Sequence, residues 1–294
     1  MKKQFILSIL LFVSFVFFGC SNKDENTIQK EKIDNAVVNE ADFSNEFAVL
    51  NTQLNIYNQN FISKQPAQLR SWKFWTKPKA DLAGAVAGAG LGSKFGIWGT
   101  IIGGIVGGIS YSIAEPATPA TPAGDSYVVP INNGTYILPH SQTQTKLNAS
   151  DSIGYFHNKI IEDIFSTNPN INNESNDVLF NTVVAQAAKY GFSPSTAELS
   201  ELKALFLLKD QIVVVSDEQT FENLRNRYPD FASSISLAEM YYTNISQLST
   251  DEQILEYTIG FCDIVSNSDI PEASADLIAS AATVGMNSSA LWVE

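Results

Sequence analysis

Few residues of this chain are of the types that usually carry catalysis. The 294 residues include two histidines, His140 and His157, and two cysteines, Cys20 and Cys262. His140 follows a proline, and Ile161 stands four residues after His157, where a helical metal site would place its second ligand. No phosphate-binding loop, nucleophile elbow or CxxC pair occurs. We therefore predict a protein that is not an enzyme and that needs no cofactor or metal.

Cys20 is the residue whose setting indicates a chemical modification. Two lysines precede an apolar run over 5–18, which is short for a membrane span of about 20 residues but suits a secretory signal. The run ends at Gly19-Cys20. This junction resembles the lipobox of bacterial lipoproteins, although Phe17 and Phe18 depart from the usual residues. The resemblance implies a signal peptide over 1–19 and a lipid-bearing Cys20 in the cell envelope, at the outer membrane.

The residues after Cys20 predict a tether. The stretch SNKDE looks like the surface-export signal of Bacteroidota lipoproteins, which would place the protein on the cell surface; a solvated tether start is the alternative. Residues 20–42 are rich in Asn, Lys, Glu and Asp and poor in apolar residues, as is typical of a linker.

Charge is distributed unevenly along the chain. The whole chain has 18 basic and 31 acidic residues, and residues 125–294 alone have 7 against 22. An acidic surface repels phosphate backbones, so we predict no nucleic-acid partner. Residues 64–81 are instead basic and aromatic. Indole rings and basic side chains favour the membrane interface, and we expect an interfacial role for six residues: Arg70, Trp72, Lys73, Trp75, Lys77 and Trp98. A surface loop with cation–π contacts is the alternative for residues 64–81.

An amphipathic helix is predicted over 43–63. Six apolar residues follow one another at spacings of three and four, which places them on one helical stripe: Phe43, Phe47, Leu50, Leu54, Tyr57 and Phe61. The stripe is interpreted as the buried face of the helix against its own domain, with a protein partner for residues 43–62 as the alternative.

Residues 82–114 form an apolar segment with Lys94 as its single charge. Glycines recur in it at spacings that produce repeated GxxxG steps: Gly84, Gly88, Gly92, Gly96, Gly99, Gly103, Gly104, Gly107 and Gly108. Each glycine costs about 1 kcal/mol relative to alanine in an aqueous helix, whereas in lipid the backbone is driven helical and glycine rows let helices approach. We therefore predict a membrane segment, either a single span over 95–114 or a hairpin turned near residues 92–94. The alternatives are a flexible glycine-rich loop and small residues that pack inside a soluble fold.

Residues 84–108 look like the glycine zipper of outer-membrane lipoproteins such as the rickettsial surface-antigen type. The preceding basic, Trp-rich residues make the segment similar to two-peptide bacteriocins as well. Both resemblances imply membrane behaviour and leave open whether the glycine faces pair within one molecule or form a homo-oligomer.

The remainder of the chain divides into a linker, a hairpin or loop, and a helical domain. Prolines at every third position predict an extended spacer over 115–124, and Asn132-Asn133-Gly134 indicates a turn between short strands within 125–148. Over 149–294, apolar periodicity predicts six or seven helices. Capping-box spacings predict helix starts at Ser195…Glu198, Ser216…Gln219 and Ser249…Glu252.

The fold class expected is mainly α, with a lipid anchor, an amphipathic helix, a glycine-zipper membrane segment and an acidic all-α domain. The function predicted is that of a non-enzymatic envelope lipoprotein that contacts membrane lipid and presents the acidic domain to a structural or protein partner. The first alternative is a bacteriocin-like, pore-forming antagonist. The second is a helical module that binds a ligand.

Overall fold

The computed structural model describes residues 40–65, 76–95, 97–114, 131–132, 135–136, 153–208 and 217–292. These residues are mainly helical, as predicted. Seven helices after residue 149 match the predicted number in the described part of that domain. The α-helices are α1 (Glu40–Ile62), α2 (Thr76–Ser93), α3 (Ile97–Ala114), α4 (Ile153–Thr167), α5 (Asn176–Lys189), α6 (Thr196–Leu207), α7 (Asp217–Arg227), α8 (Ala232–Ile245), α9 (Asp251–Ser266) and α10 (Glu272–Leu291).

Shorter elements lie between these helices. Two single turns of 3-10 helix occupy Ile171–Asn173 and Pro229–Phe231. Strand β1 (Ile131–Asn132) pairs antiparallel with β2 (Thr135–Tyr136), with Ile131 opposite Tyr136. The described residues therefore include two short paired strands, as predicted, while residues 133 and 134 of the predicted turn lie outside the described residues.

The glycine-rich helices α2 and α3 form an antiparallel hairpin at the centre of the domain. These two helices pack against each other more extensively than any other pair of described helices does. Helices α6, α7, α8 and α10 lie against α2, and helices α4, α5, α6 and α10 lie against α3. Almost every described side chain of the hairpin is buried as a result.

The hairpin contributes to two hydrophobic clusters. The larger cluster receives Leu82 and Val86 from α2 and is completed by residues of α1 and α7–α10. The other receives Ile105 and Ile109 from α3 and is completed mainly by α4, α5 and α6. Burial of apolar area contributes about 25 cal/mol per Å². Both groups of outer helices therefore pack against the hairpin, and the burial of apolar area on it stabilises them.

This packing changes the predicted organisation of the chain. The segments 43–63, 82–114 and 149–294 were expected to be separate, but their described residues belong to one compact unit, Glu40–Glu294. A turn at Lys94 and Phe95 connects α2 to α3 within the described residues. The choice between a span and a hairpin in a membrane stays a prediction. The glycine faces pair with each other inside the molecule. Side chains of the surrounding helices cover the apolar outer faces of the hairpin, so these faces are buried without lipid.

Helix α1 has the buried stripe that its spacing predicts. Leu50 and Leu54 are fully buried, while Phe47, Tyr57 and Phe61 pack against the same cluster. The side chain of Phe43 lies outside the described residues. The Tyr57 hydroxyl donates to the Tyr257 carbonyl at 3.0 Å, which joins α1 to α9. The interpretation of the stripe as an internal contact is confirmed for the described side chains.

Helix boundaries follow local signals closely. Ser195 and Glu198 form the predicted capping box of α6, and Gly191 adopts the positive φ of 88° that ends the preceding helix. The capping box predicted at Ser249 lies one residue later, because Thr250 caps α9 and Gln253 closes the box. Residue 216, the third predicted cap, lies outside the described residues.

Candidate functional site

The predicted zipper residues are brought together as backbone-to-backbone contacts between α2 and α3. Gly84 faces Gly107, Gly88 faces Gly103, and Gly92 faces Gly99. A Cβ added at Gly103 would lie 2.7 Å from the carbonyl carbon of Gly88 and closer still to its oxygen. No side chain stands between the two helices at these positions, so nothing flexible could move aside to admit a larger residue.

Three zipper residues lie elsewhere. Gly104 faces Ile153 of α4, and Gly108 faces the ring of His157. Gly96 lies outside the described residues, between the two helices. The glycines of α3 thus form two rows, one against α2 and one against α4.

Of the six residues expected at a membrane interface, one has a described side chain. Lys77 is buried in the domain, with its ammonium 4.6 Å from the centre of the Trp292 ring. The interfacial expectation is therefore wrong for Lys77 in this fold. Trp98 belongs to α3, but its side chain lies outside the described residues, as do Arg70, Trp72, Lys73 and Trp75. Cys20 lies outside them as well.

A buried polar cluster adjoins the hairpin, and we call it the Asp81 cluster: Asp81, His157, Asn158, Asn287, Ser288 and Trp292. The Asp81 carboxylate, on α2, has no solvent exposure. Its Oδ2 accepts a hydrogen bond from the Ser288 hydroxyl and another, at 3.0 Å, from the Trp292 indole N–H. Charged hydrogen bonds of this kind compensate for the cost of burying a carboxylate.

His157 brings α4 into the same cluster. Its ring is fully buried, and Nε2 lies 3.6 Å from Asp81 Oδ2. Its Nδ1 lies 3.0 Å from Asn158 Oδ1, and the Asn158 amide nitrogen donates to the Asn287 carbonyl at 2.7 Å. The cluster therefore fastens three helices together: α2 through its carboxylate, α4 through its imidazole, and α10 through its serine, asparagine and indole.

The arrangement does not match a catalytic triad, although Ser, His and Asp are all present. Ser288 donates to Asp81 and not to His157, so no base is placed to activate its hydroxyl. The three side chains are also buried, which leaves a substrate no direct approach in this conformation. Among the described residues, no group of three or more His, Cys, Asp or Glu side chains could hold a metal ion. The geometry fits a structural or proton-binding role.

The sequence alone does not predict the Asp81 cluster. Asp81 was interpreted as the edge of the apolar segment, and His157 as a histidine without a metal partner. Their partners Ser288 and Trp292 lie more than 200 residues after Asp81, and no local pattern predicts such a contact. The one available signal was the position of Asp81 immediately before a run of apolar residues, where an acid must either mark a boundary or find buried donors.

A second polar cluster joins α4 to α5 near the surface. The Asp163 carboxylate accepts hydrogen bonds from the Tyr190 hydroxyl, from the Gln186 amide at 2.9 Å and from the Lys159 ammonium at 3.3 Å. Partial burial alone would raise the pKa of this carboxyl, but the three donors outweigh burial and hold that pKa below its usual value. Burial, together with the carboxylate, raises the pKa of Tyr190 to about 12.

We expect this second polar cluster, built on Asp163, to make the free energy of unfolding depend on pH in the acid range. A lowered folded-state pKa contributes stability that is complete above the unfolded value of about 3.9 and is lost as the pH falls through the folded value. Asp163→Asn should therefore cost at most about 1 kcal/mol at neutral pH, because the side chain is partly exposed, and progressively less below pH of about 4. Urea unfolding across pH measures this difference.

Asp177→Asn is the matched control for that experiment, because Asp177 pairs with Lys203 at 2.9 Å on a largely exposed side chain. It should change stability less than Asp163→Asn does at neutral pH. A difference between parent and Asp163→Asn that stays constant from neutral to acid pH would contradict the assigned pKa direction.

None of the helices within the described residues combines the length and the apolar character needed to cross a membrane. The chain matches no protein-family model, no curated protein and no solved structure. The function is therefore inferred from the residues and their geometry.

Proposed function

We propose that this chain is a non-enzymatic lipoprotein of the bacterial cell envelope, anchored by lipid at Cys20 and presenting a folded helical domain to a structural or protein partner. The lipobox resemblance supports the anchor, and the residues between Cys20 and the start of α1 at Glu40 provide the tether between lipid and domain. The helical domain, whose described part starts with α1, is the portion presented.

The packing of the glycine rows favours this function over the membrane-inserting alternative. The glycine rows of α2 and α3 are occupied by each other, and their outer faces are covered by helices of the same chain. A glycine face already in backbone contact has no room for a second molecule. In this proposal the zipper is the core of the presented domain, and the lipid at Cys20 makes the membrane contact.

The anchor is tested by envelope extraction of the full chain. We expect the parent chain to stay in the membrane fraction in carbonate at high pH, because the lipid at Cys20 holds it in the bilayer. Cys20→Ala cannot carry this lipid and should be released. Ser21→Ala, next to the modified residue, is the matched control and should stay bound. Detergent partitioning of the same fractions provides a second measurement of lipidation.

Deletion of residues 82–114 is not a usable test, since it would remove the centre of the domain. A folded Cys20→Ala chain that resists carbonate would overturn the proposal and favour the bacteriocin-like, pore-forming alternative. In that case the hairpin would have to leave its covering helices, and leakage of dye from anionic liposomes would follow at micromolar protein.

A further inference from the structure

The protonation state of His157 can be worked out from its neighbours in the Asp81 cluster. The Asn287 carbonyl can only accept, so the Asn158 amide nitrogen must be the atom that donates to it at 2.7 Å. This orientation turns Asn158 Oδ1 toward His157 Nδ1, 3.0 Å away. An amide oxygen cannot donate, so His157 Nδ1 carries a proton.

The second ring nitrogen then decides the charge. His157 Nε2 is buried without a hydrogen-bond partner and lies 3.6 Å from Asp81 Oδ2. If Nε2 were unprotonated, its lone pair would face a carboxylate oxygen in a site without solvent. If Nε2 carries a proton, the ring is an imidazolium opposite a carboxylate within ion-pair distance. At 3.6 Å the contact is too long for a hydrogen bond, so charge attraction carries this step.

The proton of this pair belongs on the histidine and not on the aspartate. Asp81 Oδ2 already accepts from the Ser288 hydroxyl and the Trp292 indole, and both donors stabilise the negative form. Asp81 Oδ1 is buried without a partner, so a proton placed there would have no acceptor. The ionised carboxylate therefore fits its surroundings better than the carboxylic acid does.

We infer that the Asp81 cluster is a buried proton-binding lock, in which the doubly protonated ring of His157 pairs with Asp81 and holds the hairpin to α4 and α10. Three helices contribute groups around this pair. Helix α2 contributes Asp81, with Lys77 farther off over the Trp292 ring; α3 contributes the backbone at Gly108; and α10 contributes the uncharged Ser288, Asn287 and Trp292.

The test is nitrogen-detected NMR of the imidazole in the full chain, solubilised with Cys20→Ser. His140→Gln removes the other histidine, which leaves the His157 ring as the single imidazole of the chain. At neutral pH we expect both ring nitrogens to show the shift of a protonated nitrogen. An Nε2 signal typical of an unprotonated nitrogen would overturn the inference.

Variants separate the pair from its surroundings. Asp81→Asn should convert Nε2 to the unprotonated form and leave Nδ1 protonated, while Ser288→Ala and the distant Asp163→Asn should leave both nitrogens protonated. Asp81→Asn with the Nε2 proton retained would overturn the inference. Should Asp81→Asn fail to fold, the two ring-nitrogen signals of the His140→Gln chain at neutral pH decide the inference without it.

Discussion

Gly103→Ala is expected to destabilise the domain by about 3 kcal/mol, whereas Gly104→Ala, one residue later on the same helix, should be neutral or stabilising by up to about 1 kcal/mol. The new methyl at 103 would meet the Gly88 carbonyl group of the facing helix, with its carbon 2.7 Å away. Backbone cannot rotate aside, so the two helices must separate, and the neighbouring glycine contacts would loosen with them.

Gly104 is the matched control because it differs only in what it faces. A methyl there would lie 3.5 Å from Ile153 Cγ2 and 3.7 Å from Ala89 Cβ, both ordinary contact distances. Alanine also restricts the unfolded chain and favours the helix. The difference between the two variants therefore isolates the close approach of α2 and α3 from the general effect of replacing a glycine.

Urea unfolding of the chain from residue 20 with Cys20→Ser measures both variants. Equal stability of Gly103→Ala and Gly104→Ala would show that the glycine faces do not meet within the folded domain in solution. The same comparison separates the proposed function from the membrane-inserting alternative, since a segment lying in lipid outside the domain would leave the unfolding of the soluble domain unchanged by either substitution.

The hairpin illustrates which parts of this fold a sequence can predict. Glycines four residues apart predict closely packed helices because the requirement is local to each helix face. The identity of the surroundings is not local: the outer faces of α2 and α3, with residues such as Leu82 and Ile109, suit acyl chains and a protein core equally well. Only the positions of α4–α10 decide between them, and these depend on contacts distant in sequence.

The helical domain shows the same division. The stripe of α1 and the capping box of Ser195 with Glu198 were predictable, since each depends on residues within a few turns. The basic residue Lys77 was assigned to a membrane interface from its aromatic neighbours in sequence. Its actual neighbour is Trp292, which belongs to the other end of the chain.

The second large effect is expected at Asp81, the carboxylate on which three helices converge. Asp81→Ala removes the acceptor for the Ser288 hydroxyl and the Trp292 indole and the counter-charge of His157, all in a site without solvent. Removal of one partner from a buried pair costs about 3–5 kcal/mol, since the remaining group must either stay charged without its partner or give up its proton. Asp163→Asn, at the partly exposed cluster, should cost at most about 1 kcal/mol.

A double-mutant cycle separates the ion pair from the other losses at this site. Adding His157→Gln to Asp81→Ala removes the imidazole that Asp81→Ala leaves without its counter-charge. The two substitutions together should therefore cost clearly less than the sum of their separate effects, by an interaction of about 1–3 kcal/mol in urea unfolding. Additive effects would mean that His157 and Asp81 stabilise the domain independently, through packing and through the hydrogen bonds to α10.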